Sequence, residues 1–106
     1  MNINIVNIGD FCLNKVNIKI IDCNNKIVID DFINRSTCYN ICRGIYNINV
    51  YVSSNLLCSY SVLHNNKYDF INLYINTFEK KCKIFYLYDY FYKGLKIKRG
   101  EIKLGA

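Results

Sequence analysis

Six cysteines, one histidine and a basic run near the C-terminus are the residues of this chain whose types could do chemistry. Cys12, Cys23, Cys38, Cys42, Cys58 and Cys82 are scattered along it. A structural zinc site announces itself as paired Cys-x-x-Cys or Cys/His clusters, and no such pairing exists here. Cys38 and Cys42 lie closest in sequence. On one strand they would share a face about 13 Å apart at ~3.3 Å per residue, too far to bond each other. A disulfide from Cys38 or Cys42 would therefore run to another strand or another subunit. The start of the chain has no basic leader or long apolar core, so synthesis in the cytoplasm and reduced thiols packed as small buried hydrophobes are expected.

His64 is the sole histidine. Nucleophilic catalysis needs a base oriented by a third group and set beside Ser or Cys. Nothing in the sequence gathers Cys58, Ser59, Ser61 and Asp69 around His64, which reads as a solvated residue of a turn over residues 64–67. Asp22, Asp30 and Asp31 flank a hairpin, but a calcium loop needs more oxygen ligands at tighter spacing. The chain is therefore read as non-catalytic, with no metal and no cofactor.

Charge is the stronger signal. Between residues 80 and 103 stand Lys80, Lys81, Lys83, Lys93, Lys96, Lys98, Arg99 and Lys103 against only Asp89 and Glu101, so this segment accounts for the entire net charge of +6. Lys96, Lys98, Arg99 and Lys103 are the candidate contacts for an anion or an acidic partner. Just upstream come Phe85, Tyr86, Tyr88, Tyr90, Phe91 and Tyr92. Aromatics interleaved with Lys and Arg on a sheet face hold single-stranded nucleic acid by stacking and phosphate contact. Nucleic-acid binding is thus the alternative to a protein partner or self-assembly.

The elements that must position these groups are strands. Gly44 opens the run Ile45-Tyr46-Asn47-Ile48-Asn49-Val50, a strict period-two alternation that suits a half-buried strand. Further strands are expected over 16–23, 26–33, 37–42, 46–53, 56–63, 68–75 and 82–90, with 1–8 as a first strand. The strand over 82–90 is apolar or aromatic on both alternating faces, which predicts a central strand buried on both sides. No helical periodicity follows a capping residue anywhere. A length of 106 residues fits one domain over 1–106. No apolar stretch approaches the roughly 20 residues of a membrane span, so no membrane insertion is expected. Ile 17, Asn 16, Lys 11 and Tyr 10 supply about half the chain, the signature of an AT-rich coding sequence, so single Asn and Lys residues carry less meaning than usual.

Turn chemistry sets the expected pairings. Asn24-Asn25 as a two-residue loop pairs Cys23 with Lys26, Lys19 with Asp30 and Ile20 with Ile29. At the end of the chain, Arg99-Gly100 as a turn folds 95–98 onto 101–104, pairing Ile97 with Ile102 and Lys96 with Lys103. Opposed lysines are mildly destabilising, which would leave a strip that attracts anions.

The block Val16-Asn17-Ile18-Lys19-Ile20-Ile21-Asp22, its turn, and Thr37 through the Gly44-Ile45-Tyr46-Asn47-Ile48-Asn49-Val50 strand resembles transthyretin-like (prealbumin-like) β-sandwich modules. Their usual pattern is a strand ending in Asp, a turn, a second strand, then Gly-x-Tyr-x-apolar-x-Val. The ending, residues 92–104, is similar to that of small proteins of clostridia and their phages. The resemblance implies a single antiparallel β-sandwich of about seven to nine strands, transthyretin/immunoglobulin-like. The function expected of it is a non-catalytic structural or interaction module in a larger assembly: a virion, a spore or cell-surface layer, or an inhibitor complex on a host factor.

Overall fold

The computed structural model describes residues 2–8, 15–64 and 70–104; at 64, 88–92 and 96–104 the description is of the backbone. Alternation becomes strand throughout, and no helix occurs among the described residues. Nine strands follow in order: β1 (Asn2–Asn7), β2 (Val16–Asp22), β3 (Ile27–Ile33), β4 (Ser36–Asn40), β5 (Gly44–Val52), β6 (Asn55–His64), β7 (Phe70–Asn76), β8 (Lys81–Tyr92) and β9 (Leu95–Leu104). They form two sheets, β4-β1-β7-β8-β9 and β3-β2-β5-β6.

The sheets pack face to face because every second residue of their strands is apolar. Ile3 and Ile5, Ile71, Leu73 and Ile75, and Ile84 with Tyr86 come from the five-stranded sheet. Val16, Ile18 and Ile20, Tyr46, Ile48 and Val50, Val62 and Ile33 come from the other. Burying each such side chain contributes about 1.5–3 kcal/mol relative to leaving it in water. This is an all-β sandwich architecture.

Several of the expectations change. The sheets are not wholly antiparallel, since β1 runs parallel to β7 from Asn2↔Phe70 to Asn7↔Ile75 while pairing antiparallel with β4 on its other side. In constant-type immunoglobulin domains the first two strands share a sheet. Here β1 and β2 lie in different sheets, so the strand order is not theirs.

The hairpin at the end of the chain also moves. Residues 95–104 are one strand, and the turn is Lys93-Gly94, both at positive φ (49° and 79°), the conformation of the two-residue turn that matches strand twist. β9 then runs back along β8, with Arg99 opposite Asp89, Lys98 opposite Tyr90, Lys96 opposite Phe91 and Lys103 opposite Phe85. This register puts Arg99 opposite Asp89 and keeps Lys96 and Lys103 apart along the strand. The Arg99-Gly100 turn would have opposed them.

Third, β8 is central by pairing but not covered on both faces. The outer face opens toward the start of the strand, where Lys81 and Lys83 are exposed, and closes along it through half-buried Phe85 to buried Leu87, whereas Ile84 and Tyr86 face the core.

The first hairpin keeps the expected Lys19↔Asp30 and Ile20↔Ile29 pairs, but four residues, Cys23 to Lys26, lie between its strands. Asp22 drives this: its Oδ1 accepts from the amides of Asn24 and Lys26, both at 2.9 Å, and Asn25 takes φ 63° to close the turn. The second loop is Ser53-Ser54, one residue earlier than expected. β6 continues through His64, which pairs with Gly44 as strand and not as turn. The rest of that expected turn, Asn65 to Lys67, lies outside the described residues, as do Cys12 and Asp69.

Candidate interaction edges

Each sheet has two edges, and their side chains differ. In the four-stranded sheet, β3 pairs only with β2 among the described residues. Its burial alternates poorly: Ile27, Val28 and Phe32 are exposed, Phe32 at 74%. The face beside it is polar and hydrogen-bonded. Asn17, itself buried, donates through Nδ2 to Asp30 Oδ1 (2.9 Å) and to the Asp31 carbonyl (3.0 Å). Lys19 Nζ stands 5.3 Å from the centroid of the Tyr51 ring. Tyr39 on β4 reaches across to donate to Asp31 Oδ2 at 2.9 Å. Burial, then that hydrogen bond and the carboxylate's charge, push the Tyr39 phenol up to about 12. The three aspartates of this hairpin are thus committed to local structure. Among the described residues no cluster of three or more His, Cys, Asp or Glu could hold a metal ion.

The opposite edge, β6, is stitched to β8. The amide of Leu63 donates to the Tyr86 hydroxyl (2.7 Å), and the Tyr60 hydroxyl donates to the Cys82 carbonyl (3.1 Å). Beside them Cys58 Sγ and Cys82 Sγ are 2.7 Å apart. Burial raises the Tyr60 phenol to about 12, with the neighbouring Cys58 and Cys82 adding to the effect.

The cysteines distribute unlike the buried hydrophobes expected. Cys23, Cys38 and Cys42 are exposed free thiols, and Cys42 falls beyond the end of β4. Cys38 lines a shallow groove of about 470 Å³ on the outer face of the five-stranded sheet, beside Asn4, Thr37, Asn72 and Tyr74. Cys38 and Cys42 are free thiols, and the two sulfurs that meet are those of Cys58 and Cys82. Sequence reasoning missed that pair because contact between two sheets has no period along the chain. The available signal was parity, since Cys58 and Cys82 fall in step with inward Val62 and Ile84.

The basic strands are placed by register alone. Lys96, Lys98, Arg99 and Lys103 all lie on β9, the outer strand of the five-stranded sheet, and their side chains lie outside the description. The aromatic stripe upstream has Phe85 packed edge-to-face on Tyr74, centroids 5.8 Å apart at 74°. Exposed Lys83 is opposite Tyr74 and exposed Lys81 opposite Asn76. At one end of the sandwich Val52, Leu56, Leu57 and Lys80 line a cleft of about 240 Å³, below the roughly 300–1,000 Å³ of ordinary small-molecule sites. Among the described residues no helix is long and apolar enough to cross a membrane.

No protein-family model matches the chain, and comparison with curated proteins and with solved structures finds no match.

Proposed function

We propose that this chain is a non-catalytic interaction module, made in the cytoplasm, that joins a larger assembly through the edge of β3. The settings it suits are a phage particle, a spore or cell-surface layer, or a complex that inhibits a host factor. One observation carries the reading: β3 is paired on one side only among the described residues and exposes Ile27, Val28 and Phe32. A sheet edge left open presents a row of main-chain donors and acceptors, and the two exposed charges on β3, Asp30 and Asp31, are themselves held by Asn17 and Tyr39. A strand from another chain adds to such an edge by main-chain hydrogen bonds, with side-chain pockets setting specificity. Exposed apolar residues along the same strand give the added chain something to bury.

The transthyretin-like reading of the sandwich belongs to this proposal. It is supported by where the motif falls: the Asp-ended strand is β2, the Gly-x-Tyr strand is β5, and the two are neighbours from Val16↔Val52 to Asp22↔Tyr46. The test is light scattering across a concentration series, with and without reductant. Assembly larger than a monomer is expected, lost on Val28→Lys with Phe32→Lys. A protein that stays monomeric throughout would sink self-assembly, and association untouched by the double substitution would sink the β3 edge.

A second reading has its own observation. The β8–β9 register alternates aromatic with basic, Phe85 opposite Lys103, Tyr90 opposite Lys98 and Phe91 opposite Lys96, on a sheet that also exposes Lys83. Single-stranded nucleic acid is the ligand such a surface fits. Submicromolar oligonucleotide binding that weakens steeply with salt, and flattens on changing Lys96, Arg99 and Lys103 to Ala, is the outcome that would favour it over the edge.

A further inference from the structure

Cys58 and Cys82 meet across the seam between the sheets, and neither is used by the interaction edge. Their sulfurs stand 2.7 Å apart, whereas a disulfide needs about 2.05 Å, so closure asks for well under 1 Å of approach. The backbones on both sides are already held. Tyr60, two residues from Cys58, donates to the carbonyl of Cys82 itself, and Leu63 is tied to Tyr86 further along the same two strands. Both thiols are half-buried, in contrast to the exposed Cys23, Cys38 and Cys42. We propose that Cys58 and Cys82 are a two-electron redox site that takes a small-molecule disulfide of the glutathione class as oxidant and, when oxidised, cross-links the two sheets.

The chemistry balances with that reagent alone. The nucleophile in thiol exchange is the thiolate. The hydrogen bond from the Cys58 S–H holds the Cys82 thiol below its ordinary value, against the opposing effect of burial, while the same contact and burial push the Cys58 thiol up. Cys82 therefore attacks first. Its sulfur bonds to one sulfur of the reagent, the reagent's S–S bond breaks, and the departing thiolate takes up the proton that Cys82 gave up. Cys58 then loses its proton, bonds to Cys82 Sγ and expels the second reagent thiolate, which takes that proton. Two protein thiols and one disulfide become one protein disulfide and two small thiols.

The experiment is incubation of the full folded chain in oxidised and reduced glutathione mixtures, alkylation of remaining thiols, and peptide mapping by mass spectrometry. The expected product is a peptide pair joined through Cys58 and Cys82, reversed by dithiothreitol, with a melting temperature about 10 °C higher than the reduced protein. Cys58→Ser is expected to trap glutathione on Cys82 as a stable mixed disulfide. A variant with Cys12, Cys23, Cys38 and Cys42 changed to Ser guards against scrambling, and the map of the unsubstituted protein stands if that variant does not fold. Cys58 and Cys82 that stay alkylatable, bridges made only among the exposed cysteines, or glutathione that remains on Cys82 while Cys58 is present would each overturn the proposal.

Discussion

The two edges of the four-stranded sheet are built from similar alternating sequence and end up differently. At β6 the edge is closed: a main-chain amide, a tyrosine hydroxyl and a thiol all find partners on β8. At β3 the reach from the other sheet, among the described residues, is the hydroxyl of Tyr39 on Asp31. The difference comes from what stands opposite. β8 has 12 residues and continues past the end of β6, while β4 has five and stops at Asn40. An edge is sealed here where the strand across the core is long enough to meet it and the edge strand offers Cys58, Tyr60 and Leu63 to be met.

The contrast breaks most visibly at Tyr86. Tyr86→Ala removes a buried ring and leaves the Leu63 amide without its acceptor, so a loss of about 3–5 kcal/mol is expected in chemical denaturation. Phe32→Ala on the open edge is expected to change stability by no more than about 0.5 kcal/mol. Equal losses at the two sites would show that both edges are covered.

Gly44 tests the closed side through the backbone. It opens β5 opposite His64 with φ 158°, and a Cβ there would stand 3.4 Å from the Tyr46 ring, whose hydroxyl donates to the Cys42 carbonyl. Gly44→Val is expected to cost about 1–3 kcal/mol. A neutral result would place the strain elsewhere.

The smallest effect separates the edges by pH. Tyr60 at the seam and Tyr39 beside β3 both have folded-state values near 12 against an ordinary 10.0. A raised value means that the folded state favours the protonated phenol. That stabilisation is fully present below pH 10 and is lost as pH climbs toward 12. Tyr60→Phe and Tyr39→Phe should each flatten the fall in denaturation midpoint over that window. Tyrosinate absorbance should show the corresponding late-titrating phenols, and a single tyrosine transition near pH 10 would contradict both placements.

Much of the strand content was legible because alternation is a local property. β5, β7 and the Lys19–Asp30 register follow from residues within a few positions of one another. What failed was partner choice. Lys93-Gly94 and Arg99-Gly100 are both a basic residue followed by glycine, and local pattern cannot rank them; the long β8, which accepts all of β9, decides in favour of the first. The parallel β1–β7 pair and the Cys58–Cys82 contact were illegible for the same reason, since each joins segments that periodicity treats separately. The basic character of the last strand was readable from composition, whereas its pairing against Asp89 and the aromatics was not.

The parallel pairing of β1 with β7 also sets an order of events during synthesis. By the time His64 has left the ribosome, every strand of the four-stranded sheet has been made. Of the two neighbours of β1, only β4 precedes that point in the sequence, and the other comes with Phe70–Asn76. So long a separation between partners slows folding, because the loop must close before the contacts form. Among the described strands β1 is thus the one that waits longest for a sheet neighbour, and until β7 arrives its Ile3 and Ile5 lack half of the sheet that will bury them.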